Sequence, residues 1–326
     1  MAKRKPSAKK KTAARSGPGF FAKLANSAAW MMRPRRAANA TLAVVWVGMV
    51  VTALVGAGPL QGKVSTLRAA PVTPKIEYPP IAGSTDPQAT WLPASERRRL
   101  EHLVVQTVST DVFDRQSLEN LRIALEASGW FASGVEVQRF AENVVRVRGV
   151  WRTPFAAVRV GDRDHLVSAS GELLPLSYGA GGAGGALPAI LNPQFGPPEN
   201  EARGFAYGKR WRGGDVAASI ALLAELRRAF GATPRIMSQV AAIDAGDFRS
   251  RGRLSIITDT GTRVVWGSAP GEERPGEAKA SEKIARLVDL TGRPGSNGRI
   301  DAGAMQISIF GPHVYIDVPG TQTTPN

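Results

Sequence analysis

From Ala37 to Gly62 the chain carries no charged residue, and Thr41 to Val55 is apolar on every face, as a helix surrounded by lipid must be. Roughly 20 residues rising about 1.5 Å each cross a hydrocarbon core. We therefore predict a transmembrane helix over residues 37–60, with Thr41, Val45, Trp46, Val50 and Leu54 in the span. A cleaved signal peptide fits less well, because 36 residues precede the run and signal peptides begin with a short basic end. Residues 61–93 carry six prolines and little periodicity, which predicts an extended tether. Leu100, Leu103, Val104 and Val108 then recur at helical spacing after a candidate cap at Ser95, and Arg97, Arg98 and Arg99 fall mostly outside that stripe. A second helix is expected from about Ser117, on Leu118, Leu121 and Leu125, with Gly129 as its left-handed terminator.

Beyond Trp130 the period switches to two. Val135 and Val137, then Val145, Val147 and Trp151, alternate with Arg146, Arg148 and Arg152, the pattern of strands with one dry face. Further strands are expected at Ala156–Val160, His165–Ser168 and Glu172–Leu174, with turns at Gly161-Asp162 and Ser170-Gly171. Tyr178 to Pro188 reads YGAGGAGGALP, in which Gly179, Gly181 and Gly184 satisfy G-x-G-x-x-G. Pro188, Pro193, Pro197 and Pro198 forbid the helix that a dinucleotide would need there, so the stretch is predicted to be a flexible connector. A strong amphipathic helix follows from Asp215, as cap, to Gly231, on Val216, Ile220, Leu223 and Phe230. Strands at Met237–Ile243, Leu254–Thr258 and Arg263–Trp266 make a meander behind it. A helix over Ala278–Leu290, on Ile284, Leu287 and Val288, precedes terminal strands near Gln306–Phe310 and Val314–Val318.

The predicted class is α+β: a single N-terminal transmembrane helix, a first domain and a second α+β domain with an antiparallel sheet. The predicted segments are a basic cytoplasmic tail (1–36), the span (37–60), a Pro-rich linker (61–93), the first domain (94–176), a Gly/Pro-rich connector (177–200), a β-rich domain (201–318) and a C-terminal tail (319–326).

Charge sharpens this layout. The 326 residues hold 42 basic and 27 acidic side chains, but 11 of the +15 net charge lies before Ala37, where there is no acid. The remainder is only +4, so bulk nucleic-acid binding by the folded part is not supported. Arg33, Arg35 and Arg36 abut the span, and Lys3, Arg4, Lys5, Lys9, Lys10 and Lys11 fill the tail. The positive-inside rule then leaves the N-terminus in the cytoplasm and the bulk of the chain extracytoplasmic, at the plasma (inner) membrane. The absence of cysteine excludes disulfides and thiolate chemistry.

Candidate chemistry is sparse. His102, His165 and His313 are isolated, and no H-E-x-x-H spacing occurs. Asp162 and Asp164 flank Arg163 beside His165, which suits a polar hairpin turn better than a cation site. Ser7 and Lys10 match S-x-x-K inside a Lys-rich tail, and Gly267-Ser268-Ala269-Pro270-Gly271 misses G-x-S-x-G by one position. Asp244, Asp247 and Asp259 fall at turns. No enzyme, cofactor, metal or small-molecule substrate is expected.

The order of elements and one stretch resemble the FtsQ/DivIB cell-division family of bacteria. In Asn143–Leu174 the steps Arg152-Thr153-Pro154-Phe155-Ala156, Val158 and Leu166-Val167-Ser168-Ala169-Ser170-Gly171 are similar to that family's pattern, with Ser168 where an Asp is usual. Leu118 to Phe131, Leu187-Pro188 with Ile190, the Asp215 helix, Thr258 to Val264 and Val265-Trp266-Gly267 extend the resemblance over most of the chain. The family's first POTRA strand is not visible before Ser95; the nearest candidate is Thr90–Leu92. The resemblance implies a POTRA-like βααββ domain over 94–176 and a β-domain after it. It also implies a non-enzymatic scaffold for cell division and septum formation, located at the septum, that docks partners such as the FtsB/FtsL pair. A terminal strand with an unpaired edge could accept a partner strand, which makes Val314, Tyr315, Ile316, Asp317 and Val318 the candidate partner-binding residues. Tyr315 and Asp317 share its outward face. The alternatives are a POTRA-type envelope assembly or secretion factor and a membrane-tethered extracytoplasmic enzyme.

Overall fold

Hydrophobic spacing and strand alternation build two packed cores on either side of one shared set of strands. The computed structural model describes residues 44–53, 71–81, 86, 89–183, 187–301 and 304–317. The chain divides after Ala69 into two units, each considered by itself. In the first, residues 44–53 are helical and exposed, among them Val45, Trp46 and Val50. Thr41 and Leu54, like most of the predicted span and all of the basic tail, lie outside the described residues. No helix among the described residues is long and apolar enough to cross a membrane.

The second unit begins with β1 (Thr73–Ile76), α1 (Ala94–Thr107), α2 (Arg115–Ala127), β2 (Phe131–Arg139) and β3 (Val144–Trp151). The three strands form one sheet in the order β1-β3-β2, with β1 parallel and β2 antiparallel to β3. Leu100 and Val104 of α1, and Leu121 and Leu125 of α2, are buried against Val135, Val145 and Val147. Here the 3.6-residue and 2-residue periods meet in a single apolar layer. Asp114 caps α2 by accepting from the Ser117 N–H at 3.1 Å, whereas α1 starts after Pro93 without a side-chain cap and Ser95 lies within it. Gly129 takes φ +84°, and a Cβ there would collide with Tyr207 Cβ, so the left-handed stop and the close approach both require glycine.

β4 (Pro154–Val160), β5 (Arg163–Ser168) and β6 (Leu173–Gly179) follow as two hairpins. They are buried on both faces. Ala157, Leu166 and Leu174 belong to the first core, while Ala156, Val158, Val167 and Leu173 belong to the second. β7 (Ala189–Leu191), α3 (Gly214–Phe230), α4 (Pro234–Met237), β8 (Val240–Asp244), α5 (Phe248–Arg251), β9 (Leu254–Thr258), β10 (Arg263–Gly267), α6 (Ala280–Gly292), β11 (Gln306–Ser308) and β12 (Tyr315–Asp317) complete the unit. Nine strands form one mixed sheet in the order β12-β11-β10-β9-β8-β7-β4-β5-β6. The predicted meander is β8-β9-β10, antiparallel throughout. The apolar face of α3, with Ile220, Leu223, Leu226 and Phe230, fills the second core.

Several expectations need correction. The stretch expected as an extended linker contains β1, which pairs with β3. The first strand is therefore Thr73–Ile76 rather than Thr90–Leu92. The stretch expected as a flexible connector contains β7, which lies parallel to both β4 and β8 inside the nine-stranded sheet. Residues 154–176, expected within the first domain, supply β4–β6, which join that sheet rather than the three-stranded one while burying one face in the first core, and the second sheet is mixed rather than purely antiparallel. Met237 ends a short helix instead of opening a strand. Asp215 is not the cap of its helix, which starts after Gly213. It is buried in the first turn, where its carboxylate accepts from the Gln194 N–H at 2.5 Å.

Candidate partner-binding edge

At one end of the nine-stranded sheet, β12 pairs antiparallel with β11, and Ile307 lies opposite Ile316. β11 in turn runs parallel to β10. Among the described residues β12 has no sheet neighbour on its other side. The Asp317 carbonyl accepts from the Met305 N–H at 2.9 Å. Backbone polar groups alternate between the two edges of a strand, so the N–H and C=O of Ile316 face the open edge.

The side chains alternate as well. Ile316 and Val314 pack against the second core, while Tyr315 is 63% exposed and Asp317 is exposed. The structure thus brings Val314, Tyr315, Ile316 and Asp317 to one short edge, whereas Val318 lies outside the described residues. β12 begins at Tyr315, one residue later than expected. A reader of sequence would have missed Arg286. From α6 its guanidinium donates to the carbonyls of Ile309 at 2.5 Å, Gly311 at 2.6 Å and Pro312 at 3.2 Å. These three carbonyls belong to the loop that returns the chain from β11 into β12. One arginine therefore gives the edge its approach angle, and charge-assisted bonds of this kind are about twice as strong as neutral ones.

The other candidate groups do not converge. Asp164 and His165 are successive strand residues and face opposite ways. Asp164 is fully buried; its carboxylate pairs with Arg159 at 2.7 Å and accepts from the Gly181 N–H at 2.7 Å. Burial works against its charge, but these donors win and hold it below the usual carboxylate range. Asp164 is therefore an internal brace for the turn after β6, not part of a solvated polar turn. His165 packs edge-on against Phe205 at 5.3 Å, close to Trp211. Burial pushes its imidazole below its usual value, Arg163 pushes the same way, and Asp164 offsets only part.

Several other candidates are held in structural bonds. Asp244 and Asp247 both bind Arg263, at 2.8 and 3.0 Å, and Asp259 binds Arg299. Ser268 donates through its hydroxyl to Glu277 at 2.7 Å. Gly179 ends β6, and Gly184 lies outside the described residues. Among the described residues no group of three His, Asp or Glu side chains is placed to hold a metal ion.

No family model matches the chain, and no curated protein does. Among solved structures the chain is similar to the major extracytoplasmic domain of the trans isomer of the bacterial cell division protein DivIB from Geobacillus stearothermophilus. The identity is 19%, the TM-score is 0.25, and the match covers 36% of this chain and 81% of that one.

Proposed function

We propose that the chain is a non-enzymatic, single-pass membrane scaffold of the bacterial division complex that captures partner proteins through its extracytoplasmic part. The observation that carries the reading is the open edge of β12. There a backbone edge that has no sheet neighbour among the described residues, flanked by the outward side chains of Tyr315 and Asp317, offers a partner segment both a ladder of hydrogen bonds and a means of selection. The charge-free run of residues 37–62 behind a basic tail supports a tether with the N-terminus in the cytoplasm. The succession β1-α1-α2-β2-β3 has the βααββ order that the resemblance to FtsQ/DivIB proteins implies for a POTRA domain. On this reading the partners are membrane proteins of the FtsB/FtsL kind, no nucleic acid or cofactor is involved, and the protein collects at the septum of the inner membrane.

A fluorescent protein fused before Met1 tests the location, and a band at the division site of the natural host is expected. Uniform membrane signal through division would favour an assembly factor or an enzyme instead. Ile316→Pro tests the edge, because it removes an outward N–H from an extended residue while β11 keeps its own bonds. Capture of division partners from the host membrane should be lost with the thermal unfolding of the purified protein unchanged; unaltered capture would refute the edge.

A further inference from the structure

We propose that the cleft between α5 and the segment before α6 is a binding site for a phosphate-type oxyanion. The cleft has a volume of about 170 Å³ and is lined by Arg251, Arg253, Ser268, Arg274, Glu277 and Phe310, among others. Three arginines line it from two segments that are distant in sequence. Arg253 lies over the Phe310 ring, 4.3 Å from its centroid, which fixes the plane of its fork. Arg274 is pressed against the backbone at Gly252, where φ is +63° and a Cβ would collide with Arg274 Nη2. Glycine at that position lets the two arginine-bearing segments close on each other.

The charge around the cleft is unbalanced. Among the described residues none of the three guanidiniums makes a hydrogen bond or an ion pair. Glu277, the one carboxylate in the lining, is already committed. It takes the Lys283 ammonium at 2.6 Å, the Ser268 N–H and hydroxyl at 2.7 Å each, and the Arg274 N–H at 3.2 Å. The neighbouring Glu273 accepts from the N–H groups of Gly271 and Ala280. Three positive charges thus line a small concavity whose one carboxylate, Glu277, is already neutralised by Lys283. Arg251 and Arg274 are exposed and Arg253 is half-buried, so an anion can approach them from solvent. Inorganic phosphate carries more than one negative charge at neutral pH and a phosphodiester carries one, and guanidinium forks match the oxygens of either in bidentate fashion. At about 30 Å³ per water the cleft holds roughly six waters, room enough for one tetrahedral anion.

The phosphate group can belong to a soluble or polymer-linked phosphate or to a phospholipid headgroup, and the test separates these. The full chain, purified in a neutral detergent at low salt, is titrated calorimetrically with inorganic phosphate, and separately with a short-chain phosphatidylglycerol below its micelle concentration. Saturable binding of phosphate is expected, weakened about tenfold or more in R251Q/R274Q and unchanged in R98Q/R99Q, which removes two exposed arginines elsewhere. Binding of phosphate alone points to the soluble or polymer-linked source, and binding of the lipid at least as tightly points to the headgroup. Absence of saturable binding by the natural protein with both probes would overturn the site. So would equal binding by R251Q/R274Q, whose thermal unfolding, together with that of each single variant, reports whether the fold is intact.

Discussion

Lys283 has no solvent exposure and is paired with Glu277 beneath the Trp266 ring, 5.0 Å from the ring centroid. Burial opposes the Glu277 charge, but Lys283 and the Ser268 and Arg274 donors outweigh it and hold the carboxyl below its usual range. Removing one partner strands a charge in the core. K283M should therefore cost about 3–5 kcal/mol, and K283M/E277Q should cost less than the sum of the single changes, as measured by urea unfolding. Additive losses would show that the pair is not a coupled unit. His165 makes a prediction of the opposite chemistry. Its imidazole is pushed below 6.5, so the unfolded chain takes up a proton more readily than the folded one. Its contribution to stability is complete above about pH 6.5 and declines as the pH falls from there towards the folded value. H165Q should flatten that part of the stability profile, and an unchanged slope between pH 5 and about 6.5 would assign the dependence to other groups.

At the scale of elements the terminal hairpin depends on α6. Arg286 holds three carbonyls of the β11–β12 loop, so R286A should speed amide exchange in β12 while β9 and β10 keep their protection. A hairpin of unaltered protection would mean that Ile316 packing alone fixes the edge. Legibility in the sequence followed element length. α2 and β3 were readable because Leu118, Leu121 and Leu125, and Val145 and Val147, give several turns or alternations of a clear period. Gly129 announced its own stop. β1 and β7 were not readable, since strands of four and three residues set among prolines and glycines hold too little periodicity to be seen. Their place is decided by neighbours far along the chain. The outward pair Tyr315 and Asp317 followed from alternation alone. Arg286 looked like one more surface charge on a helix, and the arginine cleft was invisible because Arg251 and Arg274 meet only through the fold.

Across the whole molecule, Arg152 sits where the three-stranded sheet hands the chain to the nine-stranded one. Its guanidinium pairs with Glu172 at 2.9 Å and donates to the carbonyls of Gly129 and Phe131. It thereby ties the end of α2 and the start of β2 to the β5–β6 turn. With β4–β6 buried on both faces, the two cores should melt together. R152A should lower stability by about 2 kcal/mol and broaden or split the calorimetric transition. A single sharp transition at the original temperature would mean that apolar contact alone couples the cores.

The position of β7 also governs the order in which the protein can be made. β4 is complete once Val160 has been synthesised, yet the edge that β7 will cover stays bare until Ala189–Leu191 arrives, and β7 in turn waits for Val240–Asp244. Through that interval the nascent chain presents an apolar parallel edge with no partner, the kind of surface that recruits the wrong strand. Slow translation or premature release within that interval would therefore yield a chain with its first core formed and its second open, and a holding chaperone would be needed most at that length.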